Sequence, residues 1–411
     1  MWAKGKKLIE HYRLTSLHAI RGWAALFVVI AHAKYPFWSG GEAYLQKYPM
    51  SSWSWTQYFN FSLAMVTSFA SVFVITFFVL SGFFIARSLK KKRYSPLFFY
   101  GDRIIRIYIP YVGSLLVGFI ALTLAQKINP SLFDLIDPAR PYNKLLLVAF
   151  NDLGWTSLKN AFFFLPGEGG VYFGINGPYW SLYFEALFYI FIPFVFLVLK
   201  RYWFFCITLM LYIISFSIGS SWLSVSTYWL DYSVYFAAGV LLYELSNEKG
   251  SRLFLLKYSR KLTNVLIVGS LLLLAVSIPM GIMHFKKAGF AFGMVGTVLL
   301  MAWLLYGRRS KFYVLSRRVL INPFSDFLGK ISFSMYLIHV PLLALMYAYW
   351  SGVSGELVFY EFIYWIPVLL IIPAGYFFYL LFERTSLILL NRYKRRFGAK
   401  PVRRIGLEGG H

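Results

Sequence analysis

The sequence predicts an all-α fold, a polytopic membrane helix bundle of about ten transmembrane helices with both termini cytoplasmic. Three observations predict it. Of 411 residues, 59% are hydrophobic and 21% aromatic while only 14% are charged, too few polar side chains to clothe a water-soluble domain. Apolar runs close to the roughly 20 residues that cross a bilayer recur ten times. The 41 Lys and Arg are also segregated: 31 fall in segments that alternate with 7 in the opposite set, which puts the richer set inside.

The apolar runs are Leu14–Lys34, Phe61–Ala86, Ile104–Gln126, Pro178–Leu199, Tyr202–Ser220, Tyr228–Leu245, Thr263–Met283, Ala288–Tyr306, Ile331–Trp350 and Val358–Phe382. The first contains Arg21 and has no small-residue cleavage pattern behind it, so it reads as a retained helix rather than a signal peptide. Between the third and fourth runs, Lys127–Gly177 belongs outside. Its stretch Leu145–Leu165 is apolar, but Asn151, Asp152 and Lys159 interrupt it, and an eleventh crossing would move 21 basic residues to the wrong side. Re-entrant or interfacial helices are expected there. Residues 1–390 then form the membrane domain, and 391–411 a basic cytoplasmic tail that sets topology and touches lipid headgroups.

The excess of 41 basic over 16 acidic residues suits a nucleic-acid partner in other contexts, but this apolar background assigns it to membrane topology. Disorder and collagen are excluded by the apolar content and by a glycine count of 31. A lone cysteine, Cys206, excludes an internal disulfide and a cysteine-based metal site, and no metal is expected.

Charge inside a span is costly and marks a functional hypothesis. Arg21 and His32 are eleven residues apart, within about 20° of whole turns, so they share one stripe of the first helix roughly 16 Å apart along its axis. Taken alone, the pair also fits a snorkelling arginine and a packing histidine. Arg103 and Arg106, three apart at the mouth of the third span, offer two guanidinium forks for a phosphate-bearing ligand. Alternatively they are a topology signal, with Asp102 pairing Arg106. In Gly177-Pro178-Tyr179-Trp180-Ser181-Leu182-Tyr183-Phe184-Glu185, Glu185 is a carboxylate deep enough to need a cation or the His32 imidazole. In the ninth span Ser332, Tyr336 and His339 share a face, His339 competes with His32 as a base, and Pro341 bends the helix. Ser81 and Gly82 read as allowing close helix approach. Asp231, Glu244, Glu361 and Glu383 sit near predicted ends and read as solvated. The aromatic residues of the first loop, Tyr35 to Tyr58, read as an interfacial belt with room for a sugar platform.

Assembled, these stretches resemble acyltransferase family 3, integral-membrane O-acyltransferases of bacterial surface glycans. Leu17-His18-Ala19-Ile20-Arg21-Gly22 with His32 resembles the family's Leu-Asp-x-x-Arg-Gly opening and following histidine. Phe77–Phe83 resembles its Phe-Phe-x-Leu-Ser-Gly-Phe. Arg103 and Arg106 resemble its paired arginines, Trp180-Ser181-Leu182 with Glu185 its Trp-Ser-Leu-x-x-Glu, and Ser334–Pro341 its Tyr-Leu-x-His-x-Pro. Two positions depart: His18 replaces the family's aspartate, and Thr385 its proline after Glu383-Arg384.

The resemblance implies a multi-pass protein of the bacterial inner membrane. Its implied activity is transfer of an acyl group, usually acetyl, from cytoplasmic acetyl-CoA or another acyl-CoA to a hydroxyl of an extracytoplasmic glycan or lipid-linked sugar. On that reading Arg21, Arg103 and Arg106 hold the donor's phosphates and His32 is the general base, oriented by Glu185. Trp180, Ser181, Tyr336 and His339 contact substrate. Two other classes fit the intramembrane charges less closely: an ion- or proton-coupled transporter or glycolipid flippase, and an assembly subunit without turnover.

Overall fold

The structure, a computed structural model, describes residues 2–38, 41–68, 70–89, 96–134, 140–217, 224–247, 260–282, 286–306, 315, 318–354 and 361–396. Every regular element among them is helical. In chain order they are α1 (Trp2–Trp38), α2 (Gly41–Lys47), α3 (Trp55–Thr67), α4 (Ala70–Leu89), α5 (Pro96–Ile128), α6 (Pro141–Asn151), α7 (Trp155–Ala161) and α8 (Tyr179–Val198). There follow α9 (Arg201–Ser217), α10 (Ser224–Asn247), α11 (Arg260–Ile282), α12 (Lys286–Tyr306), α13 (Pro323–Ser354), α14 (Trp365–Phe378) and, after a π-helical turn at Tyr379–Glu383, α15 (Arg384–Arg396). The described residues of all ten predicted runs lie largely on helix, and 8 described stretches are long and apolar enough to cross a membrane. The apolar stretch 145–165 becomes α6 and α7, of 11 and 7 residues, too short to span.

The site is built on the seam between α1 and α13, which run parallel. They approach through glycine: a Cβ on Gly22 would collide with the backbone of Leu328 and Gly329, and one on Gly329 would lie 2.7 Å from the His18 carbonyl oxygen. Small residues let helix backbones touch in this way. From that crossing the register stays constant, since His32 stands opposite His339 ten residues further along each helix. A second close approach, α4 on α10, uses Gly82 against Phe236 and Gly239 against Val79, so the expectation for Gly82 holds.

The segment between α5 and α8 clamps the middle of α13. Pro341 has no N–H, which frees the Leu337 carbonyl four residues earlier. Asn176 satisfies it, its Nδ2 donating to Leu337 O at 2.5 Å. Left-handed backbone at Gly174 (φ 65°) and Ile175 (φ 62°) turns the chain into that position. A β-branched residue with such a φ is held there against a cost of about 1–3 kcal/mol.

The predicted boundary at 390/391 falls inside α15, which packs on α5 with Tyr393 stacked on Phe98 at 5.4 Å. The rest of the basic strip lies outside the described residues.

Candidate active site

A cavity of about 540 Å³ opens among α1, α4, α5, α8, α13 and the π-helical turn. It is lined by Arg21, Arg87, Arg103, Arg106 and Lys394, with Asp102, by Phe77, Phe78 and Phe84, and by Ser181 and Tyr336. Cations beside apolar walls suit a ligand with an anionic head and an uncharged arm.

Arg21 lines this cavity, and its Nε donates to Ser332 Oγ at 2.8 Å. Glu383 and Glu185 line it too, and both act electrostatically on the Arg21 charge. Glu383 corrects the expectation of a solvated end group: it is 8% exposed and accepts a 2.6 Å hydrogen bond from Ser334 Oγ. The π-helical turn explains the difference. One extra residue in the turn rotates the helix that follows, and the turn ends on Glu383. Thus the carboxylate missing at His18 has a counterpart on the far side of the cavity. Glu244, also expected to be solvated, pairs with Arg201; the side chain of Asp231 lies outside the described residues.

The two arginines of α5 divide their work. Arg103 is engaged by protein, its guanidinium 5.2 Å from the ring centroids of both Phe99 and Tyr189 and its Nε 3.9 Å from Asp102. Arg106 lines the cavity, is exposed, and has no hydrogen bond or ion pair among the described residues. The alternative in which Asp102 pairs Arg106 is corrected: Asp102 binds Lys394, Nζ to Oδ1 at 2.5 Å. Lys394, from the tail expected to carry no chemistry, is therefore a cavity residue.

Of its two expected partners, Glu185 shares the cavity with the cation Arg21 and has no hydrogen bond to His32 among the described residues. It accepts hydrogen bonds from Tyr189 and, at 3.0 Å, from Ser81. Tyr189 also holds its ring 5.2 Å from the Arg103 guanidinium, so it touches both side chains. Trp180 is not a cavity residue; it packs in an aromatic cluster with Tyr232 at 5.0 Å and Phe184 at 6.1 Å. Ser181 and Tyr336 bond to each other at 2.7 Å, and Tyr336 also donates to Pro178 O at 3.1 Å, tying the start of α8 to α13.

His32 finds its partner on α13. Its Nδ1 lies 2.8 Å from His339 Nε2, the rings nearly parallel at 7°. His339 is 0% exposed and its Nδ1 faces the Tyr336 carbonyl at 2.8 Å, so both its ring nitrogens are occupied. His32 is half-buried and does not line the cavity; the pair stands one helical turn beyond Tyr336. Arg21 and His32 thus both face α13, as the eleven-residue spacing predicts.

A family model described as an acyltransferase domain, that of acyltransferase family 3, matches residues 14–390. The chain belongs to that family. No curated protein and no solved structure matches it. As a family member the chain is a membrane acyltransferase. Sequence reasoning missed Glu383, Ser81, Tyr189 and Lys394 as site residues. Tyr189 carried a signal, because it follows Glu185 by four residues and so shares its helix face.

Proposed function

We propose that this acyltransferase moves an acyl group, acetyl in the simplest case, from cytoplasmic acyl-CoA to a hydroxyl of an extracytoplasmic glycan or lipid-linked sugar in a bacterial inner membrane. One observation carries the reading: a cavity lined by cations and apolar walls comes within one helical turn of a half-buried histidine. The charge asymmetry of the loops supports a cytoplasmic position for Arg87, Arg103 and Lys394.

Arg106 supplies the uncommitted fork for a donor phosphate, Lys394 and Arg103 add charge beside it, and Arg21 meets the donor further in. The arm of the donor then runs along the apolar lining that Phe77, Phe78 and Tyr336 give the cavity. His32 takes the proton of the acceptor hydroxyl as its oxygen attacks the thioester carbonyl carbon. The new C–O bond replaces the C–S bond, and the proton passes from His32 to the departing thiolate. Glu185, in place of orienting His32, fixes Tyr189 and Ser81 along the donor's path.

The test is thiol release from acetyl-CoA by the purified protein, with and without a glycan acceptor, together with its protection from thermal unfolding by the donor. Both should be seen. A protein that neither binds nor consumes acyl-CoA overturns the reading and returns attention to transport.

A further inference from the structure

The hydrogen bonds around His339 decide which nitrogen of His32 is the base. A carbonyl oxygen only accepts, so His339 Nδ1, facing Tyr336 O at 2.8 Å and Met335 O at 3.2 Å, carries a hydrogen. A neutral imidazole carries one, which leaves His339 Nε2 with a lone pair. Among the described residues, the atom facing that lone pair is His32 Nδ1, at 2.8 Å. His32 Nδ1 must then donate, and its own lone pair is on Nε2. The opposite assignment requires a doubly protonated His339. That would be a cation with no exposed surface and without a carboxylate in contact among the described residues, a costly arrangement.

We propose that His339 is the positioning residue of His32, holding it in the Nδ1–H tautomer so that Nε2 is the atom that takes the acceptor's proton. The inference deepens the proposed function and rests on His32 being its base. In the transfer step Nε2 gains the hydroxyl proton and His32 becomes an imidazolium, whose Nδ1–H donates a charge-assisted bond to His339. No proton leaves for His339, which stays neutral throughout; the proton on Nε2 goes to the thiolate when the C–S bond breaks. Which tautomer a catalytic histidine holds is set by the bond its other nitrogen makes. Here that bond comes from a second histidine, itself fixed by backbone carbonyls of α13.

The experiment has a spectroscopic and a kinetic arm. In protein labelled with ¹⁵N-histidine, bare and protonated ring nitrogens resonate far apart, and the His32 signals are identified by their loss in H32A. The wild type should show His32 protonated at Nδ1 and bare at Nε2. In His339→Met, which keeps bulk but removes the acceptor, that pattern should be lost. Its kcat should fall by on the order of 10²-fold or more, with the donor KM unchanged. In His339→Gln the amide oxygen reaches the place of Nε2, and kcat should be largely restored.

Wild-type His32 protonated at Nε2 overturns the proposal. So does a His339→Met protein of normal kcat that is still stabilised by donor. If His339→Met does not fold, the wild-type tautomer and the His339→Gln rate decide between the same two outcomes. The expected tautomer beside full turnover in H32A would strike the proposed function while leaving the His339–His32 arrangement standing.

Discussion

The two ends of the α1–α13 seam hold different chemistry. At one end Arg21 bonds to Ser332 within a cavity shared with Glu185 and Glu383. At the other, one imidazole faces a second whose remaining nitrogen is spent on backbone carbonyls. The contrast teaches how one helix pair serves two tasks. Charge is placed where a cavity can admit an anionic ligand, and the proposed base is placed where its ring nitrogen meets a second imidazole. A buried neutral hydrogen bond needs no counter-ion, whereas Arg21 needs carboxylates nearby.

Four experiments break or sharpen that contrast. The largest effect should come from His32→Ala, which should lower acyl transfer by on the order of 10³-fold while donor-induced thermal stabilisation persists; loss of donor binding as well would merge the two ends into one site. Arg106→Glu should do the reverse. Removing a charge-assisted contact and adding repulsion should weaken donor binding about 10- to 100-fold, measured by titration with acyl-CoA, with acceptor KM unaltered. Unchanged donor affinity would take Arg106 out of the clamp.

A smaller effect is expected where α13 is clamped between the two ends. Asn176→Ala leaves the Leu337 carbonyl unpaired and should cost about 1–3 kcal/mol of stability. Adding Pro341→Ala restores an N–H to that carbonyl and should recover much of it, so an additive double mutant in thermal melts would refute the assignment. The smallest should come from Thr76→Val on α4, away from the seam, where Thr76 Oγ1 meets Thr297 Oγ1 at 3.2 Å. An interhelical bond of this kind is worth about 0.6 kcal/mol, and turnover per folded molecule should not change.

The fold was legible because a bilayer leaves so few solutions: run length marks each span and the basic residues mark its sides. The Arg21–His32 stripe was legible because both residues lie on one helix, where spacing alone fixes the angle. Their partners were not. Ser332 and His339 come from a helix some 300 residues later in the chain, and the register of that pairing is set by the Gly22–Gly329 crossing, which no local periodicity reveals. Glu383 escaped for a different reason. Counting along an ideal helix puts it at an interface, whereas an inserted turn swings it inward. Glu185 was recognised as a carboxylate that needs company; Tyr189, four residues on along the same helix, was within reach of spacing, but Ser81 is resolved only when α4 and α8 are packed.

The glycine crossing and the matched rise of α1 and α13 make their seam a ruler. Sliding either helix by one turn would drive Cβ atoms into backbone and separate Arg21 from Ser332 and His32 from His339 together, so no intermediate setting is comfortable. The gap between the inner guanidinium and the imidazole is therefore fixed at roughly 16 Å along the axis. A thioester on too short a tether would hang below the imidazole, however tightly its phosphates were gripped.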